Sequence, residues 1–238
     1  MRERLTSIGG AALVVALVAG VALLASGPGY RIGIFPLRTA FTVLRWGAYL
    51  GIAGVLLAAA ALWRAKGRDL LGATALIVAL VCVLVPFSFQ RMAAAAPPIH
   101  DITTDTANPP AFDAIVPLRA EAPNPLEYSQ EAARRQRAAY PDLAPLIVEL
   151  PAPQAFERAI AAARDAGWEI VAADADAGRI EATDTTTFFG FKDDIVVRLT
   201  PLDGRTVVDV RSVSRVGRGD AGTNARRIRD YLDALSRR

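Results

Sequence analysis

Hydrophobic and polar positions divide the chain into two parts. Up to Met92 the sequence consists mostly of Ala, Val, Leu, Ile and Gly, and it contains three long apolar runs near residues 8–26, 40–63 and 70–89. An apolar helix of about 20 residues spans the hydrocarbon core of a bilayer. We therefore predict three transmembrane helices within residues 1–92, surrounded by a lipid bilayer.

The first apolar run has a second interpretation. It follows Arg2 and Arg4 and ends in the small residues Ala25 and Ser26, which is also the pattern of a cleaved signal peptide. Because two further apolar runs follow, we favour an uncleaved first helix.

After the third run the pattern becomes that of a soluble protein. Residues 93–151 are rich in Pro, Asp, Asn and Thr and predict an extended linker with a short polar helix near residues 126–140. Residues 152–238 predict a folded domain. In it, Phe156, Ala159, Ile160 and Ala163 share one helical face, and alternating runs at 168–173, 179–189, 194–200 and 206–215 predict strands.

A last helix is predicted over residues 223–236, with Ala225, Ile228, Leu232 and Leu235 on its apolar face. The predicted fold class is thus a multi-span α-helical membrane segment followed by a soluble α+β domain. The domain has the order helix, four-stranded antiparallel sheet, helix, and its helices cover one face of the sheet.

The last two predicted strands form a hairpin around Asp203 and Gly204, a strong turn dipeptide. In the resulting register one face is apolar, and the other carries five charged residues: Asp194, Arg198, Asp209, Arg211 and Arg215. Arg198 falls opposite Asp209, and Asp194 lies diagonal to Arg211 and Arg215. This face is either a solvated surface stabilised by cross-strand ion pairs or an Arg-lined surface that binds an anionic ligand or another polypeptide.

A glycine-rich turn connects the last strand to the last helix. Gly217, Gly219 and Gly222 permit unusual backbone conformations, and free N–H groups at the helix start can hold an anion. Asp220 or Thr223 is an equally suitable helix cap, and with Asp220 in place we favour the capping role over anion binding. The candidate ligand or partner surface includes, besides the charged strand residues, Asp220, Asn224 and Arg227.

Composition narrows the possible chemistry. The net charge of the 238 residues is only +3 and many Arg residues flank apolar runs, so we expect no nucleic-acid partner. The single Cys82 lies in an apolar run and the only His is His100, which leaves little basis for nucleophilic catalysis. His100, Asp101 and Asp105 are a weak candidate for a metal or acid–base group, although such residues usually form turns. We expect no cofactor.

Short-loop Arg and Lys residues predict the orientation. The tight cluster of Arg64, Lys66 and Arg68 shares a side with Arg2 and Arg4, whereas the other side holds more dispersed Arg residues. Positive residues in short loops favour the cytoplasmic side. We therefore expect a cytoplasmic N-terminus and an extracytoplasmic domain after Met92.

Several motifs resemble one protein family. FGF at residues 189–191, DVRSVSRVG at 209–217 and DAGTNARRI at 220–228 are similar to the C-terminal signature of the bacterial family known as domain of unknown function 1499. IHDITTD at residues 99–105 resembles a segment of its membrane-anchored branch. The resemblance implies a protein of the bacterial cell envelope and no particular reaction.

These observations lead to two functional hypotheses. The first is an integral inner-membrane protein with a periplasmic α+β domain that binds an envelope protein or an anionic small ligand without catalysis. The alternative is an envelope hydrolase or metal-dependent enzyme that uses residues 100–105.

Overall fold

Three helices form the N-terminal part of the computed structural model, which describes residues 7–237. They are α1 (Ile8–Arg31), α2 (Leu37–Arg64) and α3 (Leu70–Ala95), and all are long and apolar enough to cross a membrane. The prediction of three membrane-spanning helices is confirmed, with bounds that extend further at most ends. Arg2 and Arg4 lie outside the described residues.

Small residues allow these helices to approach one another closely. A Cβ atom added to Gly47 would lie 3.2 Å from the carbonyl oxygen of Ala19, and one on Gly51 would lie 3.0 Å from the Cβ of Cys82. Large side chains such as Trp46 and Trp63 point outward and are exposed. Small residues inside and large ones outside are the usual arrangement where lipid, and not water, surrounds a helical bundle.

The chain divides into two units. One contains the residues up to Arg91 together with Thr187–Gly190, and the other contains Met92–Thr186 and the residues from Phe191 onward. The second unit is built on a six-stranded antiparallel sheet. Its strands are β1 (Asp101–Thr103), β2 (Leu146–Val148), β3 (Glu169–Asp174), β4 (Arg179–Thr185), β5 (Lys192–Leu202) and β6 (Arg205–Ser214).

The order across the sheet is β1-β6-β5-β4-β3, and β2 also pairs with β6. The β5–β6 hairpin has the predicted register, with Arg198 opposite Asp209 and Leu202 opposite Arg205. Its two-residue turn places both Asp203 and Gly204 at positive φ, 44° and 80°, as a type I′ turn requires.

The prediction of four strands is wrong, because the sheet has six. The two additional strands, β1 and β2, come from residues 93–151, which we expected to be a linker. Each has only three residues, too few for a recognisable alternation. The expected polar helix in this segment is α4 (Gln130–Ala139).

Two helices cover one face of the sheet, as predicted. They are α5 (Ala152–Asp165) and α6 (Thr223–Ser236). The core between them and the sheet contains the predicted residues Phe156 and Ile228, together with Ile195 and Val210 from the sheet. The other face of the sheet is also covered, and this second cover positions the candidate site.

The tight helix contacts lead to a testable prediction. Gly51→Leu should destabilise the bundle, because even its Cβ atom would lie 3.0 Å from Cys82 and 3.1 Å from Val83, closer than ordinary van der Waals contact; overpacking of this kind costs about 1–3 kcal/mol. The measurement is thermal unfolding of the detergent-solubilised chain, followed by circular dichroism. Ala59→Leu, on an exposed part of the same helix, is the control. Because Leu also forms helices better than Gly, which offsets part of the packing cost, an unfolding temperature above that of the unchanged chain would contradict the packing argument.

Candidate functional site

The charged residues that the hairpin register predicts do lie on one face of the sheet, but they are not at the surface. Asp194 is fully buried, and Asp209 and Arg211 are each only 4% exposed. The expected solvated face is therefore not observed. An irregular segment, residues 104–126, covers these side chains, and we call it the strap.

The strap is attached to the sheet by hydrogen bonds to buried carboxylates. Glu181 of β4 accepts hydrogen bonds from the backbone N–H groups of Asp113, Ala114 and Ile115, at 2.9, 3.2 and 2.9 Å. These N–H groups lie just before the short 3-10 helix Val116–Arg119, so the carboxylate also acts as a cap. Because Glu181 has no exposed surface, its carboxylate depends on partners within the protein. These are the three backbone N–H groups and the guanidinium of Arg179.

Arg211 is the most fully bonded of the arginines on this face. Its Nε and Nη2 atoms donate to the two carboxylate oxygens of Asp101, at 2.9 and 2.7 Å. It also donates to the carbonyl oxygens of Pro110 (3.1 Å) and Leu126 (2.6 Å), near the two ends of the strap. One guanidinium therefore joins β6, β1 and the strap.

Two aromatic rings complete the surroundings of this guanidinium. Its central carbon lies 5.4 Å from the ring centroid of Phe112 and 5.5 Å from that of Tyr128. Both distances fit cation–π contacts, which are stronger where water is excluded. Burial raises the pKa of the Asp101 carboxyl, while Arg211 acts in the opposite direction.

Asp194 joins two arginines. Arg119 from the strap donates to its Oδ2 at 2.5 Å, and Arg215 from the end of β6 donates to both oxygens at 2.9 Å. Thr183 adds a further hydrogen bond at 2.7 Å. Burial works to raise the pKa of Asp194, but these hydrogen bonds outweigh it and hold the pKa below its ordinary value of 3.8.

Arg198 shows the reverse arrangement, with one arginine between two carboxylates. It contacts Asp209 across the hairpin at 2.8 Å and Asp105 at 3.2 Å. Thr104 also donates to Asp209, at 3.1 Å. We call the charged side chains between the sheet and the strap the charged layer; they are Asp101, Asp105, Arg119, Glu181, Asp194, Arg198, Asp209, Arg211 and Arg215. Arg198 remains partly exposed, so this end of the charged layer reaches the surface.

The start of α6 carries a second buried polar cluster on the helical face of the sheet. Asp220 accepts hydrogen bonds from the N–H groups of Asn224 (2.7 Å) and Gly222 (2.9 Å). The N-cap residue itself is Gly222, so Asp220 satisfies N–H groups at the helix start from two positions before the cap. Asn224 and Arg227 both bond to Ser212.

Arg227 is bonded further to two carboxylates, those of Asp184 and Asp193, each at 2.7 Å. Its guanidinium thus connects α6 with β4 and β5. All three members of the predicted surface at this turn have internal partners.

The candidate metal group is not assembled. Both oxygens of Asp101 face Arg211, whereas Asp105 contacts Arg198 and backbone N–H groups of its own turn. The backbone oxygen of His100 accepts from Ser214 and Asn224. Among residues 7–237, no three His, Cys, Asp or Glu side chains are grouped in a way that would hold a metal ion.

Sequence reasoning missed several buried residues of this assembly, among them Arg119, Gln136 and Glu181. Gln136 of α4 pairs with the backbone of Thr103, accepting from its N–H at 3.0 Å and donating to its carbonyl at 2.5 Å. It therefore occupies the outer edge of β1, where another strand would bind. Glu181 offered a signal, since it alternates with Ile180 and Ala182 and so lies on the charged face of the sheet.

An open groove lies on the helical side of the domain, between α5 and α6. Its volume is about 380 Å³, and Trp168, Tyr231 and small Ala side chains form much of its lining. The rings of Trp168 and Tyr231 stack with centroids 4.7 Å apart. Asp165, Arg226 and Asp230 add charge at its exposed rim.

The bonding of Arg211 predicts a large loss of stability when either partner is removed. Arg211→Ala should lower the free energy of unfolding by about 3–5 kcal/mol, because it leaves Asp101 buried and unpaired. Hydrogen exchange of the β1 and β6 amides in the full chain measures this loss. Arg205→Ala is the matched control, since the side chains of Arg205 and its partner Glu149 are 43% and 77% exposed and their charged groups lie 3.6 Å apart. Equal exchange in the two variants would mean that Arg211 does not hold the sheet and strap together.

The comparisons with known proteins agree with this architecture. A family described as protein of unknown function (DUF1499) matches residues 101–235, more than half of the chain. The match begins at the first residue of β1 and ends in α6, so it includes the sheet, the strap and the covering helices. No curated protein and no solved structure matches. The chain therefore belongs to the DUF1499 family, and its membrane-spanning helices precede the family domain.

Proposed function

We propose that this protein is a membrane-anchored binding module of the bacterial cell envelope, with its family domain in the periplasm. In this proposal the domain holds an envelope protein through the groove between α5 and α6. The observation that carries it is the groove itself, which combines an apolar lining with a charged rim.

The charged layer under the strap supports a binding role without catalysis. Its arginines and carboxylates have internal partners, as Arg211 and Asp194 illustrate. A catalytic acid, base or nucleophile must reach a substrate, whereas these groups contact the strap. Their arrangement favours a structural role, and it moves the proposed partner surface away from Arg211 and Arg215.

The lining of the groove favours a polypeptide partner over a small anion. Arg227, the buried arginine at the groove, is already neutralised by Asp184 and Asp193. The exposed rim carries Asp165 and Asp230 besides Arg226. Trp168 and Tyr231 are only 6% and 2% exposed and form the floor of the groove. A partly apolar floor surrounded by mixed charge suits a partner that places an apolar side chain against it.

The alternative of a hydrolase or metal-dependent enzyme at residues 100–105 has no comparable support. The carboxylate of Asp101 lies beneath the strap and is bonded to Arg211. Asp105 is bonded to Arg198.

The proposed orientation rests on the charges between α2 and α3. Arg64 ends α2, and Lys66 and Arg68 lie in the short connection before α3. Positive residues in short loops favour the cytoplasm, which would place the other end of α3, and the domain after it, in the periplasm.

The orientation predicts the behaviour of two reporter fusions. Alkaline phosphatase fused after the last residue should be active, because this enzyme acquires its disulfides only outside the cytoplasm. A cytoplasmic fluorescent reporter fused at the same position should be dark. The reverse pair of results would overturn the periplasmic assignment.

The groove predicts site-specific crosslinking in intact cells. A photoreactive amino acid at Ala166, on the exposed rim, should form a discrete adduct with another protein, and the same label at exposed Ala138 of α4 should not. Ala234→Trp fills the groove and should abolish the adduct at position 166, whereas Ala138→Trp should leave it unchanged. Identical adducts at both labelled positions, or none at position 166, would refute the groove as the partner site.

A further inference from the structure

An aromatic loop joins β4 to β5 and has no role in the charged layer or the groove. It contains consecutive Phe188 and Phe189, and its base is closed by hydrogen bonds between Thr186 and Phe191, both at 2.8 Å. Residues Thr187–Gly190 belong to the helical unit. We propose that this loop inserts its phenylalanines into the boundary between lipid headgroups and acyl chains.

The first argument is the position of Phe188 against α1. A Cβ atom on Gly27 would lie only 2.5 Å from a carbon of the Phe188 ring, so the ring rests directly on the glycine backbone. Gly27 precedes Arg31, the last residue of α1, by one helical turn, or about 6 Å along the axis. If the charged end of α1 at Arg31 lies in contact with water, a point about 6 Å deeper along the helix lies at the boundary between lipid headgroups and acyl chains.

The second argument is that polar and aromatic contacts fix the loop at this level. Arg31 donates a hydrogen bond to the carbonyl oxygen of Thr187 at 2.8 Å. The ring of Phe189 lies 5.4 Å from that of Phe41 on α2 and 5.1 Å from that of Phe188. Arg31 and Phe41 thus hold the two phenylalanines beside the ends of both helices.

The third argument is the apolar surface that remains at this end of the helices. Phe188 is still 37% exposed after its contact with Gly27, and Ile32 and Ile34 in the connection between α1 and α2 are 71% and 68% exposed. Exposed apolar groups beside membrane helices are covered by lipid at no cost, whereas in water each would be unfavourable. Arg31 and Arg38 flank the same region, as expected where anionic headgroups begin.

A bilayer accounts for these features better than a protein partner does. The exposed apolar atoms are continuous with the ends of two membrane-spanning helices, and the adjacent charges are arginines. The loop would thereby attach the chain to the bilayer in addition to its three membrane-spanning helices. This proposal about the loop is independent of the proposal that the groove binds a partner.

Fluorescence quenching in vesicles tests this proposal. The full chain carries Trp46→Phe and Trp63→Phe, retains buried Trp168, and receives Phe188→Trp. It is reconstituted into vesicles of phosphatidylethanolamine and phosphatidylglycerol, with or without lipids brominated on the acyl chains. The added Trp should lose most of its emission to the brominated lipid and little to acrylamide in the water. Asp203→Trp in the same background, at the tip of the β5–β6 turn, should respond in the opposite way.

Three results would overturn the proposal. Quenching of Phe188→Trp by acrylamide alone would place the loop in water, and resistance to both quenchers would place it beneath protein, including a second copy of the chain. A response equal to that of Asp203→Trp would remove the distinction between the two loops. Where Phe188→Trp lowers the yield of folded protein, Phe189→Trp is measured in its place and judged by the same outcomes.

Discussion

The pairing of Arg211 with Asp101 is the interaction on which the soluble domain depends. A guanidinium that is 4% exposed is tolerable only where its donors and its charge are satisfied. Asp101 lies 110 residues earlier in the chain, and the other acceptors are the carbonyl groups of Pro110 and Leu126 in the strap. The sheet can therefore bury this arginine only when β1 and the strap are both in place, which couples the segment after the last membrane helix to the C-terminal hairpin.

The remainder of the charged layer follows from the same constraint. Two arginines share Asp194, and two carboxylates share Arg198, so the positive excess at one end is matched by a negative excess at the other. With the neutral pair of Arg211 and Asp101 in addition, this set of eight groups carries no net charge. Such balance is what a layer between a sheet and its cover requires, since an unbalanced buried charge costs several kcal/mol. A binding surface for an anion would instead retain an excess of positive charge.

The local features of this fold were predictable from sequence, and the distant pairings were not. The turn at Asp203 and Gly204 fixes the register of β5 and β6 within a few residues, so the opposition of Arg198 and Asp209 followed from alternation alone. By contrast, β1 is three residues long and its partner Val213 lies 112 positions away from Asp101. Arg211 gave an indirect signal, because the hairpin offers Asp194 to both Arg211 and Arg215. Of these two arginines, Arg215 bonds to Asp194 and Arg211 bonds to Asp101.

The same reasoning gives the recognisable motifs of this chain a structural role. The sequence DVRSVSRVG supplies Arg211 and Arg215, and DAGTNARRI supplies Asp220, Asn224 and Arg227. All five bond to groups within the domain. Polar residues at such positions contribute to the stability of the fold, because the loss of one removes hydrogen bonds from buried partners. A binding role is then better sought where side chains are accessible, and accessibility favours the charged rim of the groove between α5 and α6, with Arg226 and Asp230, and the exposed ring of Phe188 over the buried motif residues.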